Sequence, residues 1–429
     1  DAAADAAGPA GGRHAAAGGA GDARPDPGGA AGRTRRRVIV TPLSVRGAAA
    51  VRDALLSHGW EGDLARLTAD GLEVAAFHVS GVTADAIETM VPLAARLGLE
   101  IVSGDDWLLL AGGRSRLGAF ARPWVQPEPV RALADAIGMA MPAQPPVAWR
   151  HARGTLSLDR PILMGIVNAT PDSFSAPSRS ASVDEALAMV DTLLAAGAAI
   201  VDVGGESTRP GATPITAAEE LDRVVPTVAA IAARHPDLVI SIDTVRSATA
   251  RAAVEAGAAI INDVMAGRHD AAVCEVAARS GAGLVLTHSR GALGALATYD
   301  HAQYDGDVVT GVVRELVAAR DAALTAGVAA EAIALDPGFG FAKTPEQNVQ
   351  LLAGLDAIVA LGQPVLVGVS RKRFLGELTG AALEDRDRAT AAACAVAAAA
   401  GATLFRVHDP GAARDAVTIA HAVRRAGQG

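Results

Sequence analysis

Aromatic side chains are scarce in this chain: they make up 3% of its 429 residues, although half of all residues are hydrophobic. A core of any size must therefore be built mainly from alanine, valine, leucine and isoleucine. Cysteine is scarcer still, and its two examples, Cys274 and Cys394, fall within apolar stretches typical of helices. We interpret them as two reduced core thiols rather than as a disulfide or a metal site.

The chain also lacks an excess of positive charge and any long apolar run. Its formal net charge is −9, whereas a protein that binds nucleic acid through the phosphates needs a basic face. No apolar run approaches the roughly 20 residues that cross a bilayer, and no compact apolar core of a secretory signal stands near the first residue. We therefore expect a cytoplasmic protein without nucleic-acid or membrane partners.

Composition divides the chain into four parts. Residues 1–33 contain no leucine, isoleucine, valine or aromatic residue, and we expect a disordered tail there. Residues 34–141 are interpreted as a small α/β or α+β module of unknown role, here called the N-terminal module. Its predicted strands are 37–41, 72–79 and 107–111, and its predicted helices are 47–58, 83–97 and 129–139. A linker rich in proline at 142–149 leads to a regular domain at 150–429.

The domain at 150–429 alternates apolar strand-like runs with alanine-rich helical segments. Strands are predicted at 162–167, 199–203, 239–243, 259–262, 284–288, 332–336, 365–369 and 403–407. Helices are predicted at 183–196, 217–234, 247–256, 271–279, 308–326, 345–361 and 386–400, and several end at a glycine that suits a left-handed cap. Eight strands alternating with helices predict a parallel (β/α)8 TIM barrel. The alternative, an open doubly wound sheet, would show a glycine-rich fingerprint after its first strand, and none is present.

Polar residues stand where the predicted barrel strands end, and barrel enzymes place their active sites at that mouth. These residues are Asn168, Asp202, Asp243, Asn262, His288, Asp336, the run 370–372, Arg406 and His408. Carboxylates and an amide beside a lysine suit a flat heterocycle that has both donor and acceptor edges. Arg406 and His408 suit an anion such as phosphate. Two long polar loops, 170–182 and 205–216, are expected to close over bound substrates.

Seven ordered motifs resemble the dihydropteroate synthases, folate-pathway enzymes that sulfonamides target. The motifs lie at 164–175, 204–211, 241–244, 261–264, 336–341, 368–372 and 406–408. The family joins 6-hydroxymethyl-7,8-dihydropterin diphosphate to 4-aminobenzoate and releases diphosphate. The resemblance therefore implies a transferase that uses Mg²⁺ and is commonly a homodimer, and it implies nothing about the N-terminal module.

The resemblance also assigns the residues of the mouth to ligands. The pterin would be held by Asp243, Asn262, Asp336 and Lys372. The aminobenzoate site would be formed by Thr208, Arg209, Pro210, Phe341 and Ser370. The diphosphate would meet Asn168, Arg406 and His408, and Asn168 would also help to bind Mg²⁺. The residues that take part in the chemistry would be Asp243, Asp336, Lys372 and Arg209.

Two other functions share part of this pattern. Methyltransferases that pass a methyl group from methyltetrahydrofolate to a corrinoid have a similar pterin pocket, but the motifs at 168–175, 207–209 and 370–372 favour the synthase. A non-catalytic pterin-binding protein is the second alternative. Its support is the segment 176–180, which departs from the Asp-Gly-Gly that the family usually has there. Ala342 also replaces a usual glycine, and neither change removes a group assigned to the chemistry.

Overall fold

The structure is a computed structural model that describes residues 74–141, 146–169, 179–206, 215–304 and 307–426. The predicted tail at 1–33, the strand at 37–41 and the helix at 47–58 lie outside the described residues, as do 170–178 and 207–214 of the two predicted loops. The division of the chain into domains therefore stays a prediction. None of the helices in the described ranges has the length and apolar character needed to cross a membrane.

The N-terminal module contains a three-stranded antiparallel sheet and three α-helices in its described part. Its elements are β1 (Val74–Ser80), α1 (Ala84–Leu97), β2 (Glu100–Ser103), β3 (Trp107–Gly113), α2 (Arg114–Phe120) and α3 (Arg131–Ala140). Strand β3 lies between β1 and β2 and pairs with both in antiparallel register. Antiparallel pairing with helices packed beside the strands is an α+β arrangement. The short elements β2 and α2 were not predicted.

Eight parallel strands form the second sheet, as predicted. The strands are β6 (Ile162–Asn168), β7 (Ile200–Gly204), β8 (Val239–Asp243), β9 (Ile260–Asp263), β10 (Gly283–Thr287), β11 (Ile333–Asp336), β12 (Leu366–Val367) and β13 (Leu404–Val407). Their order is β11-β10-β9-β8-β7-β6-β13-β12. A parallel bridge between Leu335 and Val365 brings β12 beside β11, the two ends of this order, and closes the ring. The prediction of a TIM barrel is confirmed.

Helices follow the barrel strands and bury the outer face of the sheet. They are α4 (Arg179–Ala195), α5 (Ala217–Arg234), α6 (Ser247–Glu255), α7 (Ala272–Ser280), α8 (Val308–Thr325), α9 (Pro345–Ala353), α10 (Leu355–Val359), α11 (Arg373–Thr379), α12 (Asp387–Ala400) and α13 (Pro410–Ala426). The predicted helix at 345–361 is two helices, because Gly354 interrupts it. A Cβ atom at Gly354 would lie 2.8 Å from Cγ2 of Val309 on α8, so the close approach requires glycine.

A hairpin that the sequence did not predict closes the amino-terminal end of the barrel. Its strands are β4 (Ala148–His151) and β5 (Gly154–Ser157), so β4 begins within the predicted linker. Trp149 is fully buried, and its Nε1 donates to the carbonyl of Ala332 at 2.9 Å. The apolar layer that it packs against comprises Ile162, Met164, Ile200, Ile260, Val285, Ala334, Leu366 and Leu404. The amino-terminal end of the barrel interior is therefore apolar.

Candidate active site

The strand register brings the polar residues of the mouth to one level of the barrel. Asn168 of β6 pairs with Gly204 of β7, which pairs with Asp243 of β8, which pairs with Asn262 of β9. Alternate residues along a barrel strand face the interior. Since Ile200 and Ile260 belong to the apolar interior layer, the residues two positions further along each strand face the interior above that layer. The barrel interior therefore changes from apolar at the amino-terminal ends of the strands to polar at their carboxyl ends.

Arg406 lies at the centre of an ion cluster in this polar interior, in which Asp202 is fully buried and both Arg406 and Asp243 are partly buried. Its Nε donates to Oδ2 of Asp202 at 2.6 Å, and its Nη2 donates to Oδ2 of Asp243 at 2.7 Å. Nδ2 of Asn262 donates to the same oxygen of Asp202 at 2.9 Å. Burial opposes the charged form of Arg406, but the carboxylates of Asp202 and Asp243 outweigh it and raise its pKa. Asp202, to which no ligand was assigned, thus joins Asn262 to Arg406, and Arg406 joins both to Asp243.

Four buried polar atoms near this cluster have no hydrogen-bond partner among the described residues. They are Oδ1 of Asp202, Oγ of Ser241, Oδ1 of Asn262 and Oγ1 of Thr287. An unpaired buried polar group costs about 1–3 kcal/mol, so a group of them is expected where a polar ligand or ordered water supplies the partners. A flat heterocycle with amino and ring N–H groups has donors of the required kind.

Two carboxyl groups of the interior have pKa values shifted toward neutrality. Burial raises the pKa of Asp243 to about 7, although the charge of Arg406 acts against the shift. Burial also raises the pKa of Asp336 to about 6, although the backbone N–H of Gly338, which donates to Oδ1 of Asp336 at 2.7 Å, opposes it. An ionised carboxylate only accepts hydrogen bonds, whereas a protonated carboxyl group has one O–H donor and fewer acceptor positions. The capacity of Asp243 and Asp336 to bind ligand N–H groups therefore depends on pH in the neutral range.

Lys372 contacts Phe341, so a residue predicted for the pterin meets one predicted for aminobenzoate. The Nζ of Lys372 lies 3.9 Å from the centre of the Phe341 ring, a cation–π distance. Gly340 makes room for the lysine stem, because its φ is +76° and a Cβ there would lie 2.9 Å from Cδ of Lys372. Burial lowers the pKa of Lys372 to about 8, and the nearby carboxylate of Asp336 opposes this shift.

Ser370 and His408 form a second contact between residues of two predicted subsites. Oγ of Ser370 lies 2.9 Å from Nδ1 of His408, and the backbone N–H of His408 donates to the same Oγ at 3.1 Å. Because Oγ already accepts that N–H, its own proton can go to Nδ1, and the ring proton then resides on Nε2. The structure thus places Ser370, predicted at the aminobenzoate, beside His408, predicted at the diphosphate.

A further polar network, which the sequence did not predict, lies behind the loop that carries Phe341. Nζ of Lys343 is fully buried and contacts Nδ1 of His288 at 2.9 Å, the carbonyl of Gly338 at 3.0 Å and the carbonyl of Phe341 at 3.1 Å. Nε2 of His288 lies 3.0 Å from Oε2 of Glu315. Three acceptors match the three N–H groups of an ammonium. Burial lowers the pKa of His288 to about 4, which keeps the ring neutral with Nδ1 as the acceptor.

The remaining predicted residues divide into four groups. Asn168 ends β6 at the mouth with a half-buried side chain, whereas Thr208, Arg209 and Pro210 lie outside the described residues. Asp263, beside Asn262, serves the following turn: its carboxylate accepts the N–H groups of Met265 and Gly267 at 2.8 and 2.6 Å. Both cysteines are buried and free, as predicted.

A closed (β/α)8 barrel whose interior holds carboxylates, an amide and cations at the carboxyl ends of its strands is the architecture of an enzyme that binds a small polar substrate. Residues 164–408 match the family of pterin-binding enzymes. The chain belongs to this family, and its relatives place it among the dihydropteroate synthases.

Two relatives, one of them with two solved structures, illustrate the similarity. The dihydropteroate synthase of Streptococcus pyogenes serotype M6 is 46% identical over 259 residues, which are 60% of this chain and 93% of the relative. The structure of Xanthomonas albilineans dihydropteroate synthase with 4-aminobenzoic acid is 44% identical, with a TM-score of 0.59 over 65% of this chain and 98% of that one. The same enzyme in complex with 7,8-dihydropteroate is 42% identical, with a TM-score of 0.57 over 64% and 98%.

Proposed function

We propose that this chain condenses 6-hydroxymethyl-7,8-dihydropterin diphosphate with 4-aminobenzoate to form 7,8-dihydropteroate and diphosphate. The observation that carries the proposal is the ion cluster of Asp202, Asp243 and Arg406 with Asn262, which leaves buried polar atoms for a ligand to pair. A pterin has the amino and ring N–H groups that these acceptors require. The solved relatives that hold 4-aminobenzoic acid and 7,8-dihydropteroate support the choice of substrates.

The pterin is held by Asp243, Asn262, Asp336 and Lys372 in this proposal. When the bond from the pterin methylene carbon to the diphosphate oxygen breaks, positive charge develops on the pterin. The carboxylates of Asp243 and Asp336 stabilise that charge, because they are fixed in a buried site where electrostatic interactions are strong. The amine of 4-aminobenzoate then forms the new C–N bond and loses a proton.

The diphosphate leaves toward Arg406 and His408. The guanidinium of Arg406 has five N–H groups, and its ion pairs with Asp202 and Asp243 engage two of them, so further donors remain for phosphate oxygens. Ser370 orients the ring of His408 through the contact to Nδ1, which directs Nε2–H to the leaving group. The aminobenzoate is held by Thr208, Arg209, Pro210 and Phe341, and Ser370 lies where the two subsites meet.

We propose Mg²⁺ as the cofactor, with Asn168 as a protein ligand. Mg²⁺ keeps several waters and is usually bound through one or two protein oxygens together with substrate phosphates. The half-buried amide of Asn168 at the mouth offers such an oxygen. Across the described ranges, no group of three or more His, Cys, Asp or Glu side chains could hold a metal by itself. Oxygens of the substrate diphosphate would supply further ligands. The bound ion would neutralise charge on the leaving group.

Diphosphate release by the full chain tests the proposed reaction. We expect release to require 4-aminobenzoate and Mg²⁺ together, and equal turnover with Mg²⁺ fully chelated would contradict the role of Asn168. Calorimetry should show that Lys372→Ala loses pterin binding, while Arg209→Ala weakens aminobenzoate binding far more than pterin binding. Methyl transfer from methyltetrahydrofolate to a corrinoid without synthase activity would instead support the methyltransferase. Pterin binding with neither activity would support the non-catalytic protein.

We further propose a cytoplasmic homodimer. Val396 on α12 and both Ile419 and Val423 on α13 are 51%, 65% and 65% exposed, and Ile419 and Val423 are one helical turn apart. These two helices pack against each other, so their exposed apolar side chains offer a surface for a second copy of the chain. Analytical ultracentrifugation should give twice the mass of the chain, and Ile419→Lys should reduce it to one. A monomeric wild-type protein would contradict the proposal.

A further inference from the structure

Arg371 stands between two residues of the predicted mouth and has an unusual backbone conformation. Its φ is +56°, in the left-handed region that few residues other than glycine and asparagine adopt. The backbone N–H of Lys372 donates to the carbonyl of Val369 at 3.2 Å, so residues 369–372 form a tight turn. A positive φ at the third residue of such a turn usually requires glycine. An arginine there is therefore expected to make contacts that offset the backbone cost.

The side chain of Arg371 binds the beginning of helix α12. Its Nε donates to Oδ1 of Asp387 at 2.8 Å, and its Nη2 donates to Oδ2 of the same carboxylate at 2.7 Å. The two side chains are 35% and 24% exposed, and most ion pairs near the surface contribute little to stability. This pair differs from them in its bidentate geometry, which fixes the guanidinium in position and orientation.

The backbone groups of Arg371 are held by the same part of the fold. Its N–H donates to Oγ1 of Thr390 at 3.0 Å, and Thr390 is a buried residue of α12. Its carbonyl accepts from Nη1 of Arg386, the residue before α12, at 3.2 Å. The side chain, the N–H and the carbonyl of Arg371 are thus all attached to the amino-terminal end of α12. Because α12 packs against α13, the turn is fixed relative to the outer layer of the barrel.

The residues on either side of Arg371 contact the mouth of the barrel. Oγ of Ser370 lies 2.9 Å from Nδ1 of His408, and Nζ of Lys372 lies 3.9 Å from the centre of the Phe341 ring. Ser370 and Lys372 are each one peptide bond away from Arg371. A change of the backbone at this residue would therefore displace both side chains.

We propose that Arg371 is a positioning residue that holds Ser370 and Lys372 in the orientation in which the pterin and leaving-group subsites meet. The inference rests on the proposed function, in which Lys372 binds the pterin and Ser370 orients His408. The guanidinium of Arg371 is bound to α12, so it acts through its two neighbours. Its contacts offset the cost of the left-handed backbone and keep the turn in one shape. Loss of the guanidinium should therefore weaken pterin binding in the folded enzyme.

The test compares Arg371→Met with Arg371→Gly in the full chain. Methionine keeps most of the stem and removes the guanidinium, whereas glycine also removes the steric cost of a positive φ. Calorimetry with 6-hydroxymethyl-7,8-dihydropterin diphosphate should give a Kd raised about tenfold in both variants, because both lose a charged hydrogen-bonded pair. Arg371→Lys should recover part of the loss. Wild-type affinity in Arg371→Gly would overturn the inference, since the position would then require only a permissive backbone.

A double-mutant cycle shows whether Arg371 acts through its pair with Asp387. Asp387→Asn alone should raise the pterin Kd in the same direction as Arg371→Met. Combining the two changes should raise it by less than about twofold beyond Arg371→Met, because the pair is already broken. Additive effects of the two changes would overturn the inference.

The pH dependence of pterin affinity separates positioning from a role in stability alone. Lys372 lies near the carboxylates of Asp336 and Asp243 and the guanidinium of Arg406, and burial lowers its pKa to about 8. Wild-type affinity should therefore decrease above about pH 8, as Lys372 loses its proton. When the turn loosens in Arg371→Met, Lys372 becomes more hydrated, and the decrease should move to higher pH. A decrease at the same pH as in the wild type would overturn the inference.

A matched control is Arg150→Met, because Nη1 of Arg150 also donates to a carboxylate, Oε1 of Glu331 at 2.8 Å. Arg150 lies on β4 at the amino-terminal end of the barrel, so this variant should keep the wild-type pterin Kd and pH dependence. If Arg371→Met does not fold, Asp387→Asn decides the comparison, because it breaks the pair and leaves the turn residue in place.

The inference and the proposed function fail in different ways. A wild-type chain that binds the pterin diphosphate but releases no diphosphate would contradict the proposed function, while the pterin Kd values would still decide the role of Arg371. A wild-type chain that does not bind the pterin diphosphate would overturn both.

Discussion

The substitution Asp202→Asn perturbs the ion cluster at its most buried member. Asp202 is fully buried, and its Oδ2 accepts from Nε of Arg406 at 2.6 Å and from Nδ2 of Asn262 at 2.9 Å. Asparagine has nearly the same size and keeps one acceptor oxygen, but it removes the negative charge. The variant therefore measures what the charge contributes without opening a cavity.

The expected loss of stability follows from the contacts. Removal of one partner from a buried ion pair costs about 3–5 kcal/mol. Because Arg406 keeps Asp243 at 2.7 Å and the amide oxygen still accepts a hydrogen bond, we expect a smaller loss of about 2–3 kcal/mol in the free energy of unfolding. For a barrel domain of about 280 residues this corresponds to a decrease in Tm of about 3–5 °C.

Denaturant titration of the wild type and the variant measures the loss directly. Asp191→Asn is the matched control, because the same change there breaks an exposed pair with Arg234 at 2.5 Å, in which Asp191 is 40% exposed. Such surface pairs contribute about 0–1 kcal/mol. Wild-type stability of Asp202→Asn, or an equal loss in the control, would refute the reasoning that the interior cluster is a tightly coupled buried network.

Three further outcomes are expected. Burial raises the pKa values of Asp336 and Asp243 to about 6 and about 7. Pterin affinity should therefore be highest above pH 7 and should fall below it, as the carboxylates take up protons. Titration calorimetry that shows constant affinity from about pH 5.5 to 8.5 would contradict this expectation. Trp149→Ala should lower the free energy of unfolding by about 3–5 kcal/mol and should leave pterin affinity near the wild-type value. A decrease in the free energy of unfolding below about 1 kcal/mol would show that the hairpin does not close the barrel. Lys343→Met should destabilise the fold by about 3 kcal/mol, since three buried acceptors lose their donor. It should also raise the KM for aminobenzoate through Phe341. A variant more stable than the wild type would count against this interpretation.

The barrel was predictable because its signals are local. A strand such as Val239–Asp243 is an apolar run that ends in a carboxylate, and its predicted bounds agree with the structure. Glycine after a helical segment marked helix ends in the same way: Gly197, Gly257, Gly327 and Gly401 all have positive φ. The level of the polar residues in the barrel also follows, since parallel strands end at one edge.

What the sequence did not predict depends on contacts between distant residues. Arg406 and Asp202 are 204 positions apart, so their ion pair leaves no local pattern, although a single carboxylate within the apolar run Ile200–Gly204 was a usable signal. The hairpin around Trp149 consists of two strands of four residues, too short for periodicity to reveal. Arg246 lies two residues beyond the motif at 241–244, and its contacts with Glu206, which follows β7, and with Glu220 on α5 leave no local pattern in the sequence.

The most direct test of the central claim is the pterin affinity of Asp243→Asn beside that of Asp263→Asn. Both positions carry a carboxylate at the end of neighbouring strands, but Asp243 faces the polar interior with Arg406, whereas Asp263 binds the backbone of its own turn. We expect calorimetry with 6-hydroxymethyl-7,8-dihydropterin diphosphate to show binding weakened by about tenfold or more in Asp243→Asn and within about threefold of wild type in Asp263→Asn. Wild-type affinity in Asp243→Asn would show that the pterin does not bind in the barrel interior.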